Sequence, residues 1–430
     1  MHTNFIRIED SKELEISYCN RAHTTVRKIV ALACLDTRRY IKSYIKTIES
    51  GHIPLVLNPK IPLKILKQIA HSQNADSLIV DNEIIEFKQN TDQTLDPGHI
   101  LCSSGTTSKS GVPKKFFFPL SSPIENARAH YESYENNDIK NILFPLPFSH
   151  SFGVVVGIWG SLFKQANTYF YQEAFSVNNI LNDIRDKKID LLYLSPSLAR
   201  QIIKFSKRYK QEIYSPKIIS IGSSTFYQSE LLELHKIFPD TQFFYTYGLT
   251  EMGPRVSSYK VDVSQLKDEM ISLPLGTPLS GVEWEVSETL KIKSIYCESK
   301  LTDTFFDTND GVYLDGGNVY INGRIDDVII HQGINIYPSE IETLLLSNEK
   351  VEDCALIGED SNLYGEVPIL IIKAELTQEE VLDFLKQNLP PSHLPKKIYF
   401  DIEIPKTSLG KIQREVLKNQ IMKNQIMKLK

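Results

Sequence analysis

Short β-branched runs alternate along the chain with segments whose apolar residues recur every three or four positions. Ile29–Leu35 reads as a buried strand. Asp36 then stands where an N-cap belongs, ahead of a helix reaching Ser50 with Tyr40, Ile41, Tyr44, Ile45 and Ile48 on one face. Gly51 stops that helix, and Ile53–Leu57 is the next strand. The rhythm repeats: strand Ile142–Leu146 and an apolar helix from about Ser151; strand Leu191–Leu194 and a helix from Ser197; strand Ile218–Ile221 and a helix from Gln228; strand Phe243–Tyr245. This pattern predicts an α/β fold with mixed, mostly parallel sheets layered with helices, whose ligands gather at the carboxyl ends of the strands.

From about Val286 the pattern changes to short strands and turns, with Asp315-Gly316-Gly317-Asn318 as a hairpin. A compact α+β unit follows Arg324. In it Pro338 opens a helix, Asp353–Ile357 and Val367–Ala374 are strands, and Thr377 and Glu380 stand at capping-box spacing. The expected organisation is a large domain over 1–325, with a β-rich subdomain near 286–323 and a shortened N-terminal part, and a small mobile domain over 326–430. The tail repeats Lys-Asn-Gln-Ile-Met at Lys418–Met422 and Lys423–Met427, which reads as an exposed helix end.

Composition narrows the function. The 430 residues are 41% hydrophobic and carry 48 basic against 53 acidic side chains, a formal charge of −5. That excludes general disorder and gives no footprint for a nucleic-acid binder. The five cysteines (Cys19, Cys34, Cys102, Cys297, Cys354) are scattered, so neither a disulfide framework nor a zinc cage is expected. The first residues lack the charged and apolar regions of a signal peptide, and the longest apolar run, Gly153–Phe163, is short of the roughly 20 residues of a membrane span. A cytoplasmic protein is the expectation.

Four segments carry candidate chemistry. Ser103–Lys114 (SSGTTSKSGVPK) lies between predicted strands Ile100–Cys102 and Lys115–Phe118; small hydroxyl residues, glycine and lysine suit a polyphosphate, although the spacing is not that of a Walker loop. Tyr245–Gly253 (YTYGLTEMG) sets an aromatic, a glycine and a hydroxyl beside a carboxylate, as a magnesium–nucleotide site requires. Phe306–Asp310 with Gly323–Asp327 supplies carboxylates for ribose hydroxyls and a guanidinium fork in Arg324. Pro405–Lys411 presents a lysine on a glycine turn. Each alone is more economically read as a polar turn; their order and separation together are not.

From about Leu101 to Lys411 these segments resemble the adenylate-forming superfamily of acyl-CoA synthetases and aryl-acid and peptide-synthetase adenylation enzymes. Leu146–Gly153 (LPFSHSFG), Ser220–Ser224 (SIGSS) and Gly333–Glu342 fit the same pattern. The resemblance implies ATP-dependent conversion of a small carboxylic acid to an acyl-adenylate with release of pyrophosphate, then transfer to a thiol. That thiol is coenzyme A, or alternatively the phosphopantetheine of a carrier protein acting in trans; a degenerate nucleotide-binding member is the remaining alternative. It implies that Ser104, Gly105, Thr106, Thr107 and Lys114 line the phosphate loop, that Gly222, Ser223, Ser224, Tyr247 and Gly248 hold adenine, and that Asp310 and Arg324 hold ribose. Thr250 touches phosphate, Glu251 holds Mg²⁺, His150 and Gly153 border the acid, Asp326 is the hinge, and Lys411 bridges the acid and the α-phosphate.

Departures from the family pattern are a longer phosphate loop near Lys109-Ser110-Gly111, Asn309 in place of a glycine, and Ile330 where lysine is common. Asn309 is expected to tolerate a left-handed backbone. The Phe148–Phe152 stretch has no acidic residue to pair a substrate ammonium, so an acyl or aryl acid without an α-amino group is expected.

Overall fold

The computed structural model describes residues 4–6, 27–87, 96–102, 114–135, 138–171, 176–208, 213–301, 303–361, 365–407 and 410–428. Ser104, Gly105, Thr106 and Thr107, with the rest of their loop, lie outside the described residues.

Two α/β sheets form the larger part. The first has six strands in the order Glu83–Glu86, Ser77–Val80, Ile29–Leu32, Ile53–Val56, Gly98–Cys102, Lys115–Pro119, parallel at its centre and antiparallel at both edges. The second has eight: Asn4–Ile6, Asn167–Phe170, Asn141–Phe144, Leu191–Leu194, Ile218–Gly222, Gln242–Tyr247, Ser257–Lys260 and Thr277–Pro278. The five strands from Asn167–Phe170 to Gln242–Tyr247 are mutually parallel. The expected α/β architecture is therefore present, with antiparallel strands closing the edges.

Strand periodicity decides how the cores divide. In Ile29–Leu32, Val30 and Leu32 join the large core shared with the eight-stranded sheet, whereas Ile29 and Ala31 face a smaller core with Leu66 and Ile69. The helix Thr37–Glu49 is capped by Asp36, whose side chain accepts from Arg39 N, and it buries Tyr40, Ile41, Tyr44 and Ile48 as expected. The apolar segment after Ser151 is wound as a π-helix over Gly153–Trp159, every residue buried. Such wide turns recur at functional sites.

The change to antiparallel structure begins at Val282, slightly before Val286, with a four-stranded sheet of Val282–Val286, Thr289–Ser294, Phe306–Asp315 and Asn318–Arg324. Gly316 and Gly317 turn the last hairpin with φ of 55° and 80°, a two-residue geometry that glycine adopts freely. Residues 329–428 carry a five-stranded sheet with cores on both faces. Leu356, Leu370 and Ile372 meet helices Pro338–Leu346 and Gln378–Asn388 on one face; Ala355, Ile357, Ile369 and Ile371 meet Leu417 and Ile421 on the other. Here the tail reading is corrected. The helix Arg414–Lys428 buries Leu417 and Ile421 to 0% and 3% exposure, so the first Lys-Asn-Gln-Ile-Met copy is anchored, not free.

Candidate active site

Four parallel strands of the eight-stranded sheet end side by side at Phe144, Leu194, Gly222 and Tyr247. The segments that leave them hold His150, Gly153, Ser223, Ser224, Gly248, Thr250 and Glu251. Ser151 Oγ and Thr250 Oγ1 are 3.0 Å apart, which joins the segment of His150 to the segment of Glu251. Ser151 was not singled out by the sequence; only the fold reveals that its hydroxyl holds Thr250. Gly153 faces the chain's own turn: a Cβ there would stand 2.7 Å from the Pro147 carbonyl oxygen, so this glycine lets the π-helix close onto Phe148.

Gly222 ends its strand and Ser223 continues with φ of 92°, a left-handed conformation that a non-glycine residue holds only at a cost. Ser223 Oγ is buried and has no hydrogen-bond partner among the described residues. The Ser224 carbonyl accepts from Tyr245 Oη at 3.2 Å.

The antiparallel sheet brings in the ribose candidates. Tyr247 Oη donates to Asp310 Oδ2 at 2.5 Å, while Arg324 Nη1 stands 3.9 Å from Asp310 Oδ1. Burial raises the Asp310 carboxyl above the ordinary carboxylate range, and the Tyr247 hydrogen bond, Arg324 and Lys411 oppose that rise. Asp310 N donates to Thr308 Oγ1 at 3.1 Å, which fixes the carboxylate's backbone. Asn309 adopts φ of 56°, the left-handed turn expected of it. Ile330 stands exposed at the surface of its strand, its N–H on Glu366 Oε2 at 2.9 Å.

Lys411 reaches this cluster from the C-terminal unit. Its turn is closed by Thr407 N to Lys411 O at 2.8 Å and by Lys411 N to Thr407 Oγ1 at 3.1 Å. Gly410, at φ of 84°, packs so closely on Ser197 that a Cβ would lie 2.7 Å from its Oγ. The Lys411 side chain is reached by solvent, yet protein crowds the cleft around it. That desolvation lowers its ammonium below the usual lysine range, with Asp310 and Glu251 pulling upward and Arg324 pushing down. Desolvation first, then the Lys411 charge, press His150 down to about 4, so its imidazole is neutral at physiological pH. Lys114, in contrast, is exposed immediately before the strand Lys115–Pro119.

The charge state of Lys411 has a kinetic consequence. If its ammonium serves the reaction, activity is full at low pH and falls as pH rises through a folded-state pKa below the ordinary 10.5. The alkaline limb of kcat/KM for ATP–pyrophosphate exchange is expected below that value, and Lys411→Arg is expected to remove the limb. A limb unchanged in the arginine variant would assign it to another group.

Glu251 and Thr250 offer hard oxygen donors on one side of the cluster, and no group of three or more His, Cys, Asp or Glu side chains able to hold a metal exists among the described residues. That donor set fits a magnesium ion carried mainly by nucleotide phosphates and touched by a single carboxylate, as this ion prefers. No helix among the described residues is long and apolar enough to cross a membrane.

The AMP-binding enzyme family model matches residues 67–293, and the AMP-binding enzyme C-terminal domain model matches 340–411. The chain belongs to the AMP-binding enzyme family. It is 30% identical over 332 residues to a 2-succinylbenzoate–CoA ligase of Lactococcus lactis, covering 74% of this chain and 70% of that protein. The fold is shared with the o-succinylbenzoate CoA synthetase of Bacillus subtilis solved with its acyl-adenylate, at a TM-score of 0.77 and 19% identity over 94% of this chain and 91% of that one. It is shared equally with ATP-bound MatB of Rhodopseudomonas palustris, at 0.76 and 19% over 95% and 92%. This AMP-binding enzyme is an ATP-dependent acid–thiol ligase of the AMP-forming kind, which activates a carboxylic acid as its acyl-adenylate and passes the acyl group to a thiol.

Proposed function

We propose that the acceptor is coenzyme A and that the residues gathered at the strand ends perform the two half-reactions. The observation that carries this reading is the convergence of Lys411 with Asp310, Arg324, Glu251 and His150 from three separate parts of the chain. A carboxylate approaching a polyphosphate is repelled by it. Lys411, an ammonium fixed in a crowded cleft, offsets that repulsion and stabilises charge developing on the α-phosphate. Asp310, held by Tyr247 and steadied by Arg324, accepts the ribose hydroxyls, while the Tyr247 ring and the loop Gly222-Ser223-Ser224 flank the base. Thr250, fixed by Ser151, donates to phosphate. Glu251 would hold Mg²⁺, which when bound neutralises charge on the departing pyrophosphate. The incoming acid is ionised at pH 7, so no general base is needed for the first step.

The second half-reaction requires Lys411 to withdraw and the thiol to enter. We place the hinge at Asp326, dividing the chain at 325/326. The ion pairs support this: Asp326 Oδ2 is held from the antiparallel sheet by Arg324 Nη2 at 3.0 Å, whereas Asp327 Oδ2 is held from the C-terminal helix by Arg414 Nε at 3.2 Å. Adjacent residues thus belong to opposite partners, within a short 3₁₀ turn over Ile325–Asp327 that can absorb a change of φ and ψ.

Coenzyme A is favoured because the Lactococcus relative is named a CoA ligase along 74% of this chain. Incubating the enzyme with ATP, an accepted acid and either coenzyme A or a phosphopantetheinylated carrier protein is expected to yield thioester on coenzyme A. Thioester on the carrier alone would replace the acceptor and leave the adenylation chemistry standing.

A further inference from the structure

Behind the strand ends lies a buried guanidinium that no carboxylate among the described residues neutralises. Arg255 follows the Tyr247–Gly253 segment and is only 3% exposed, yet its Nε and Nη2 have no hydrogen-bond partner. No carboxylate pairs with it among the described residues. Its backbone is clamped by Asn126, which accepts from Arg255 N at 2.9 Å and donates to Arg255 O at 2.8 Å, so the side chain is aimed rather than free to swing out. The Phe152 ring lies 4.5 Å from Cζ, and the charge also feels the phenols of Tyr134, Tyr193 and Tyr245. These contacts return part of the desolvation cost, but none is an anion. Burial accordingly pushes the guanidinium down to about 10.

A second donor group faces the same interior. His130 is fully buried, and burial followed by the Arg255 charge holds it well below the ordinary histidine range. Its Nε2 lies 2.8 Å from Tyr134 Oη and 3.2 Å from Tyr193 Oη, while its Nδ1 has no hydrogen-bond partner among the described residues. Sheet register explains the juxtaposition. Tyr193 pairs with Ser220, two residues before Gly222, so Ser220 and Gly222 lie on one face of their strand, where a Cβ on Gly222 would meet Thr246 Oγ1 at 2.6 Å. Arg255 Nη2 stands 3.4 Å from the position a Cβ of Gly222 would take.

The position relative to the reacting centre is equally defined. Phe152, on which Arg255 stacks, is one residue from Ser151, the partner of Thr250, and Gly222 adjoins the Ser223 loop. An acid placed with its reacting carboxylate by Thr250 and Lys411 would have to run past Phe152 to reach Arg255.

We propose that Arg255, supported by His130, is a specificity-determining subsite that binds a second carboxylate on the acid substrate, so that the enzyme activates dicarboxylic acids in preference to their singly charged counterparts. The inference rests on the ligase reading above and names its substrate class. A fork of buried donors suits a carboxylate, which accepts two parallel N–H bonds, and a site built around a buried charge discriminates strongly against an analogue lacking the partner.

The test compares matched acids in ATP–pyrophosphate exchange: adipate against hexanoate, and 3-(2-carboxyphenyl)propanoate against 3-phenylpropanoate. The wild-type enzyme is expected to favour the diacid of at least one pair by tenfold or more in kcat/KM. Arg255→Met is expected to lower the diacid by a hundredfold or more and its monoacid by no more than a few-fold, while Arg255→Lys, keeping charge without the fork, falls between. A wild-type preference for the monoacid in both pairs overturns the subsite whether or not the variants fold. Equal loss for both acids in a variant with unchanged thermal midpoint and ATP binding also overturns it. Exchange with no acid at all would instead sink the ligase reading. Calorimetric titration of the nucleotide-free protein with adipate, wild type against Arg255→Met, would then decide the subsite by itself.

Discussion

Lys411→Ala is expected to lower ATP–pyrophosphate exchange by a hundredfold or more, a loss of about 3 kcal/mol in transition-state stabilisation. The lysine is the group that brings fixed positive charge from the C-terminal unit into a cleft already holding Asp310, Arg324 and Glu251. Desolvation strengthens its action on charge that develops only as the α-phosphate is attacked. Transfer of the acyl group from a supplied acyl-adenylate to coenzyme A should fall far less, because on the proposed hinge at Asp326 that step follows the lysine's withdrawal. Measuring both half-reactions separately checks the role: equal loss in the two, or no loss in either, removes Lys411 from adenylation.

Gly248→Ala is expected to damage stability and activity together. A Cβ at this position would stand 1.8 Å from the Pro254 carbonyl oxygen and 3.3 Å from Arg255 Cα, both backbone atoms with no side-chain freedom to yield. The chain must move, and overpacking of this kind costs typically about 1–3 kcal/mol. The movement falls between Tyr247, which anchors Asp310, and Thr250, which Ser151 positions. A displacement of about 1 Å among such groups is enough for a hundredfold loss of rate. Thermal unfolding and the exchange assay read the two effects, and a variant as stable and as active as the parent would show that the turn yields without disturbing the loop.

The two substitutions separate what is local from what is assembled. Gly248 lies in a segment that pointed to a nucleotide loop once it was set in order with the other motifs, and its neighbours Thr250 and Glu251 sit together because they are adjacent in the chain. Lys411 lies far along the sequence from every other member of its cluster. Its placement required the packing of Gly410 on Ser197, a contact that no periodicity predicts.

Local physics made much of the fold legible. The helix capped by Asp36, the Thr377–Glu380 capping box, the proline-opened helix at Pro338 and the Gly316-Gly317 hairpin are each specified by a few neighbouring residues, and each forms as expected. Strand–helix alternation likewise identified the parallel core, since a buried parallel strand must be apolar on both faces. The motifs Tyr245–Gly253, Phe306–Asp310 and Pro405–Lys411, taken in order, pointed to the adenylating chemistry through their resemblance to the adenylate-forming superfamily.

Tertiary structure decided the rest. The π-helical winding of Gly153–Trp159 depends on packing against Phe148 and the sheet, not on its apolar composition, which suits an α-helix equally well. The burial of Ile421 depends on a sheet face assembled from strands remote in sequence. Arg255 shows the limit most plainly. In the sequence it is one arginine after a proline, a position where solvation is the simplest expectation. Only the alignment of Gly222 beside Arg255, with Phe152 and His130 close by, reveals that its charge is desolvated and unpaired. The sequence by itself determined the elements and the motifs, because these follow from short-range patterns, and the order of those motifs carried the resemblance that implied the reaction class. Which charges meet, which polar atoms are left without partners, and so which acid the site is shaped to receive, were decided by long-range packing, since desolvation is a property of surroundings that no single stretch of chain contains.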